Sequence, residues 1–343
     1  MAALPDCALT YLADQAPVGG TAIAIAPGVR WLRMPLPFAL NHINLWALED
    51  GDGWTLIDTG FGIEATHLLW QQLFAGDLAG RPVRRIIVTH YHPDHIGAAG
   101  WLAERCGVDV WMTEAEFTTA HAVHAGVAPY SRSATHALFR SHGVDAGRLK
   151  ALEARFGTYI RGVPTLPQSI RRLRDGDTIA IGDYKWRIIT GYGHAPEHAT
   201  LYCDATATLI SGDQILPRIT TNVAVTPHQA NGDPLKLFLD TLTRFQPLPA
   251  ETRVLPSHGL PFTGLHARLA QLRDHHAQRL DELVAAIRRP TTAAELLPVL
   301  FNRPLDDHQL SFAMGEIIAH MNHLAATGRV VRVHGDPIRF ARS

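Results

Sequence analysis

The sequence predicts a mixed α/β fold, two sheets sandwiched between helices, followed by a small helical domain that ends in a hairpin. Three observations predict it. Short apolar runs broken by turn residues open the chain as strands. The strand pattern stops for a helix-like stretch at 113–165 and then resumes, so one domain carries an insertion. Beyond Gly264 the texture changes to long helical periods closed by two short strand-like pieces.

In residues 21–60 the runs TAIAIAPGVRWLRM and HINLWALEDGDGWTLIDTG flank Asp50-Gly51-Asp52-Gly53, a hairpin signal, so the opening strands are antiparallel. Ala65, Leu68, Leu69 and Leu73 recur at helical spacing over 64–76. The run RRIIVTH at 84–90 reads as a short buried strand ending in a His-rich loop. Pro93 suits a first helical turn, and Asp94 to Cys106 reads as one helix closed by Gly107. VDVWM is the next strand, and after the insertion DTIAIGDYKWRIITGY and ATLYCDATATLISGD supply more, with turns at Gly182-Asp183 and Cys203-Asp204. Past a boundary placed at residue 265, HARLAQLRDHHAQRLDELVAAIRR is a helix stopped by Pro290. TTAAELLPVLF follows with a Thr cap, then HQLSFAMGEIIAHMNHLAATG, then RVVRVHG and PIRFAR. Three helices followed by a hairpin is the order of a winged helix. The expected domains are therefore 1–265 and 266–343. No internal repeat or low-complexity tract is present.

Composition narrows the class. The 343 residues are 46% hydrophobic and 18% charged, enough apolar content for a sizeable core. A net charge of −1 gives no global field toward nucleic acid or an anionic membrane. Cys7, Cys106 and Cys203 are odd in number and widely spaced, which reads as free thiols in a reducing compartment. The first residues lack a basic stretch followed by an apolar one, and no apolar run reaches membrane-spanning length. A cytoplasmic protein without a membrane segment is expected.

The chain has 20 histidines, and their positions carry the chemistry. Thr89-His90-Tyr91-His92-Pro93-Asp94-His95 places three imidazoles and a carboxylate straight after a strand, on a loop free to converge side chains on one point. His90 and His92 are two apart, so an extended segment points both the same way. Asp94 and His95 follow a turn and face a neighbouring point, one metal for each pair. Imidazole with a carboxylate suits zinc, and also iron or manganese.

HYHPDH resembles the HxHxDH signature of the metallo-β-lactamase superfamily, and the other signatures follow in order. Leu56-Ile57-Asp58-Thr59-Gly60 resembles the first motif, Gly193-His194 the third, Ser211-Gly212-Asp213 the fourth and Pro256-Ser257-His258-Gly259 the fifth. The resemblance covers residues 21–265 and implies an αββα sandwich with a metal groove at the edge of the sheets. It implies that His90, His92 and His194 bind one divalent ion, that Asp94, His95 and His258 bind a second, and that Asp213 bridges both. Two Asp against two dications leave net positive charge, which generates hydroxide at neutral pH. Asp94 and Asp213 are then the catalytic carboxylates. Asp58 steadies the ligand loop in the family, the alternative being a turn-capping Asp, and His198, four residues after His194, is expected to back the ligands from behind or to be merely structural. Members often read GHTxGH where this chain has Gly193-His194-Ala195-Pro196-Glu197-His198, so the Glu197 turn departs from the pattern.

Weaker candidates for substrate contact are His42 in the early hairpin and Arg218 and Asn222 after the fourth motif. His121, His124, His136 and His142 match no metal template and read as a polar helix face. Aromatic and apolar residues of the insertion (Phe117, Val123, Val127, Tyr130, Leu138, Phe139, Phe156, Tyr159) suit a lid over a part-apolar ligand; the bland alternative is the insertion's own small core or an oligomer contact.

Within the family, Asp213 speaks against the secreted β-lactamase branches and His92 against the flavodiiron branch. The core is similar to glyoxalase II-type enzymes, and the C-terminal piece resembles the lactamase-beta-two-like branch. The expected function is metal-dependent hydrolysis of a small ester or thioester, as in thioesterases and lactonases. Phosphodiester or RNA cleavage is the nearest alternative, and a nucleic-acid-binding regulator with a structural metal site is a further one. The helix at 307–327 has no Lys or Arg to meet phosphates, so DNA is not an expected partner. A small molecule is the expected partner, and a homo-oligomer is left open.

Overall fold

The computed structural model describes residues 9–153 and 158–343; Cys7 and Phe156 of the sequence reading lie outside them. In chain order the first elements are β1 (Thr10–Tyr11), β2 (Ala22–Ala26), β3 (Val29–Pro35), β4 (His42–Asp50), β5 (Gly53–Ile57), α1 (Glu64–Ala75) and β6 (Val83–Ile87). Then come α2 (Pro93–Ile96), α3 (Ala99–Cys106), β7 (Val110–Thr113), and the insertion helices α4 (Glu114–Ala125), α5 (Arg132–Ser141), α6 (Ala146–Glu153) and α7 (Thr158–Gly162). The second half holds β8 (Ile170–Leu173), β9 (Thr178–Ile181), β10 (Tyr184–Gly191), β11 (His198–Cys203), β12 (Thr208–Gly212), α8 (Pro234–Arg244), β13 (Arg253–Pro256) and β14 (Phe262–Thr263). The C-terminal part is α9 (Leu265–Ala286), α10 (Ala293–Leu300), α11 (Asp307–Ala326), β15 (Val330–Val333) and β16 (Arg339–Arg342).

β2 to β8 form one seven-stranded sheet in sequence order, and β1-β14-β13-β12-β11-β10-β9 form another. Period-two alternation splits each central strand between two cores. Leu56 and Ile86 face α1 and α3, packing with Trp70 and Leu102. Their neighbours Ile57 and Ile87 face the opposite sheet, packing with Ile210 and Leu255. On the second sheet Leu209 and Val254 turn outward to Phe238, Leu272 and Ile318 of α8, α9 and α11. The expected helix–sheet–sheet–helix sandwich follows directly. Burial on both faces explains why Ile86-Ile87-Val88 reads as a continuous apolar run.

Two expectations need correction. Asp94 to Cys106 is not one helix: the ladder breaks at Gly97-Ala98. There the Ala98 N–H is diverted to Gly60 O at 3.1 Å and Thr59 Oγ1 at 3.2 Å. A side chain at Gly97 would meet Gly162 O at 2.4 Å, so a bare backbone is required where α2 meets α7. His142 is not on a polar face. It is fully buried, with its ring stacked on Phe340 of β16 at 6.1 Å. The insertion docks there: Ala294 N–H donates to His142 O at 3.1 Å, and Ile338 N–H to Ser141 O at 2.7 Å.

The three C-terminal helices and the β15–β16 hairpin occur in the expected order, and α10 starts at a capping box formed by Thr292 and Glu295. Their apolar residues share one cluster with Leu138 and Phe139 of α5 and with the outer face of the second sheet. No helix among the described residues is long and apolar enough to cross a membrane.

Candidate metal centre

The signature residues leave the sheets just past strand ends that lie side by side. β5 and β6 are parallel neighbours, and so are β12 and β13. Asp58 follows β5, the His90–His95 loop follows β6, Asp213 follows β12 and His258 follows β13. Antiparallel β10 ends at Gly191 and delivers His194 to the same place. Two sets of parallel strands and one antiparallel strand thus bring five separate loops to one edge.

Seven side chains converge in two sets whose ligand atoms lie within 4.8 Å of one another: His90, His92, His194 and Asp213, and Asp94, His95 and His258. His90 Nε2 is 2.9 Å from His92 Nδ1 and 3.2 Å from His194 Nε2. Asp213 reaches both sets. Its Oδ2 lies 3.5 Å from His194 Nε2 and 3.6 Å from His95 Nε2, and its Oδ1 lies 3.3 Å from His258 Nε2. Asp94 Oδ2 is 3.4 Å from His258 Nε2.

The outward face of four of the five rings, all but His92, assigns their protons. His95 Nδ1 pairs with Asp58 Oδ2 at 2.8 Å, His194 Nδ1 with Asn222 O at 2.8 Å and His258 Nδ1 with His42 O at 2.9 Å. Thr89 Oγ1 donates to Asp58 and accepts from His90 Nδ1 at 3.0 Å. Four Nδ1–H groups therefore point outward, and four Nε2 lone pairs point inward beside two carboxylates. Buried His95 Nε2 and Asp213 Oδ1 have no hydrogen-bond partner. Converging lone pairs with orphaned atoms among them are a donor set for cations, and the residues fit two divalent ions.

The electrostatics match. Burial, reinforced by neighbouring imidazoles, pushes His90 well down, and burial with His194 takes His92 to about 3. Burial also opposes charge on His95 and His258, but carboxylates outweigh it: Asp58, Asp94 and Asp213 hold His95 well above its usual range, and Asp213 and Asp94 take His258 to about 10. Burial would raise Asp213, yet His258 and His95 keep it well below the usual carboxylate range. The carboxylates stay charged, and protons compete with metal for the second set.

Asp58 adopts a left-handed φ of 60°, which Asp tolerates better than most residues. Its carboxylate also accepts the Thr89 N–H at 2.8 Å, so it orients the ligand loop and His95 together. His198 Nε2 accepts the Asp213 N–H at 3.1 Å, and its ring lies 4.7 Å from that of His90. His42 does not enter either set; its ring accepts the Gly259 N–H at 3.1 Å and steadies the turn after His258. Asn222 supports His194 through its carbonyl, and its amide donates to Glu316 at 3.3 Å. Arg218 is exposed on the same loop and is outside both sets.

One residue the sequence reading missed is Glu116 on α4. Fully buried, it accepts the Tyr91 N–H at 2.9 Å and the Glu197 N–H at 2.6 Å. Thr113 Oγ1 donates to Glu197 O at 2.8 Å. The Glu197 turn that departs from the usual motif is therefore pinned through its backbone, whatever its side chain. Burial pushes the Glu116 carboxyl up to about 7, against the pull of those two N–H groups.

Comparison with known proteins agrees with this geometry. A family model described as the metallo-beta-lactamase superfamily matches residues 40–258, and one described as the metallo-beta-lactamase-like C-terminal domain matches 280–343. The chain is similar to the crystal structure of a beta-lactamase domain protein from Burkholderia ambifaria, at 44% identity and a TM-score of 0.91, covering 98% of this chain and 99% of that one. It is similar to a metallo-beta-lactamase family protein from Thermus thermophilus, at 31% identity and a TM-score of 0.81, covering 93% and 100%. Among curated proteins it is 26% identical to a probable metallo-hydrolase of Bacillus subtilis (strain 168), over 86% of this chain and 91% of that one. It is 27% identical to a hydroxyacylglutathione hydrolase of Rhodobacter capsulatus, over 55% of this chain and 52% of that one.

Proposed function

Because the chain belongs to the metallo-β-lactamase superfamily and is a metal-dependent hydrolase, we propose that it cleaves a small ester or thioester. The observation that carries this reading is Asp213, whose two oxygens face the two ligand sets from one buried position. A bridging carboxylate of this kind suits a binuclear centre built for hydrolysis. When bound, two divalent ions, zinc in our reading, supply Lewis acidity at the scissile carbonyl and bring the deprotonation of water into the neutral range. The protein's share is position. Outward Nδ1–H bonds fix the rings, and Asp94 and Asp213 stay ionised beside them, able to accept hydrogen bonds from the attacking water.

The choice of a small, part-apolar substrate rests on the insertion. Tyr159 Oη donates to Tyr91 O at 2.8 Å, and Tyr130 lies with its ring 4.7 Å from that of His228 on the loop after β12. Aromatic groups next to the ligand loop favour an acyl group over a polyanion. The insertion is tied down at both ends, and we read it as a wall that selects substrate. The similarity to a hydroxyacylglutathione hydrolase supports a thioester.

The test is a hydrolysis screen on protein of measured zinc content, with thioesters, lactones, phosphodiesters and short RNA. Turnover of a thioester or lactone is expected, and Asp213→Ala should lower it by more than about a hundredfold, beyond the loss typical of groups that only touch a ligand, with circular dichroism unchanged. Turnover confined to phosphodiesters or RNA would replace the proposal with nuclease chemistry.

A further inference from the structure

The segment from Asp213 to Val225 touches the metal centre on one side and the C-terminal helices on the other. On the inner side, Thr221 Oγ1 donates to Asp213 O at 2.6 Å, and Asn222 O accepts from His194 Nδ1 at 2.8 Å. On the outer side, Arg268 of α9 is fully buried, with Nε on Leu216 O at 2.6 Å and Nη2 on Ile219 O at 2.8 Å. From α11, Gly315 O accepts the Val225 N–H at 3.0 Å, and buried Glu316 accepts the Asn222 amide at 3.3 Å. A Cβ at Gly315 would come within 2.7 Å of Ala224 Cβ, so the helix presents bare backbone where the segment lies against it. The segment has little regular structure of its own, and these contacts supply partners for backbone groups that a buried loop otherwise leaves unpaired.

We propose that Arg268 and Glu316 are positioning residues of the metal centre. They hold the 213–225 segment so that Asn222 aims His194 and Thr221 fixes the backbone of Asp213. The inference rests on the reading of the two ligand sets as a metal site. It gives the C-terminal helices a part in the chemistry that needs no nucleic acid and no partner chain. The physical reason is leverage. A ring held by one carbonyl turns when that carbonyl moves, and the carbonyl sits on the same residue whose amide α11 grips. What Glu316 offers the segment is an acceptor, one carboxylate oxygen taking one amide N–H of Asn222.

Metal-free protein titrated with zinc in competition with a chromophoric chelator tests this without any substrate. Asn222→Ala removes the link from a half-buried position and leaves the carbonyl in place. Glu316→Ala removes it from the other side. Each should weaken zinc binding at the set that contains His194 about tenfold, the scale found when a group that orients a ligand is lost. The double variant should be no weaker than either single one, because both cut the same connection. Glu316→Gln keeps an acceptor and should bind zinc close to wild type, and Arg268→Lys, which cannot span both carbonyls, should bind less well. The cobalt-substituted forms should show the same ranking in their visible spectra. Wild-type affinity in both alanine variants, additive losses in the double variant, or a Gln variant as weak as the Ala variant would each overturn the inference. A wild-type protein that takes up no zinc would instead sink the metal-site reading on which it rests.

Discussion

Glu116 shows how much of this site is held by groups outside the two ligand sets. One carboxylate takes the backbone of two ligand loops, 25 residues away on one side and 81 on the other. Glu116→Gln keeps one acceptor and turns an NH2 toward the second N–H. That leaves a buried donor unpaired, a loss of about 1–3 kcal/mol. The expected result is a lower denaturation midpoint and zinc affinity reduced about 10–100-fold, measured by chelator competition; unchanged affinity would reduce Glu116 to a packing role. Nothing local announces this residue, for its partners are backbone amides distant in sequence. Arg268 and Glu316 were hidden because their partners too, two backbone carbonyls and one side-chain amide, lie far away in sequence. The seven candidate ligands were legible because each stands in a short motif just past a strand, and Asp58 and His198 because they belong to those motifs. Asn222 carried a weak signal as a substrate contact, and the structure shows its polar atoms turned to His194 and Glu316.

Elements were legible where periodicity was strong and blurred where long-range bonds intervene. The opening hairpin at Gly51-Asp52 and the cap at Thr292 came straight from residue type. The break between α2 and α3 did not, since the bond that makes it comes from Gly60 in another motif. The insertion was visible as helices, but its attachment was not: Phe139 is 3% exposed in the cluster that contains Leu296, Ile318 and Phe340. Phe139→Ala should therefore destabilise the protein by about 3–5 kcal/mol, read by urea denaturation. A loss under about 1 kcal/mol would show that α5 is a loosely attached flap.

At the scale of the whole molecule, His142 lies where the insertion meets the C-terminal hairpin. Both of its ring nitrogens lack hydrogen bonds, and burial, with Arg332 adding to it, takes its pKa from 6.5 to about 4. The unfolded chain then binds a proton that the folded one refuses. The contribution to stability is complete above pH 6.5 and is lost as pH falls toward 4, the loss amounting to about 2 kcal/mol at pH 5. His142→Phe should abolish that part of the slope. The comparison is the denaturant midpoint of metal-free wild type and variant at pH 7.5 and pH 5; equal slopes would remove His142 as the cause. The segment after Asp213 has a consequence for synthesis as well. A nascent chain that has emerged as far as β14 already carries all seven candidate ligands, but the residues that grip the segment lie later, on α9 and α11. Domains begin to fold from the N-terminal side as they emerge. On the proposed role of Arg268 and Glu316, a polypeptide that stops short of α9 carries the seven candidate ligands without the hold that positions Asn222 and Thr221 beneath them.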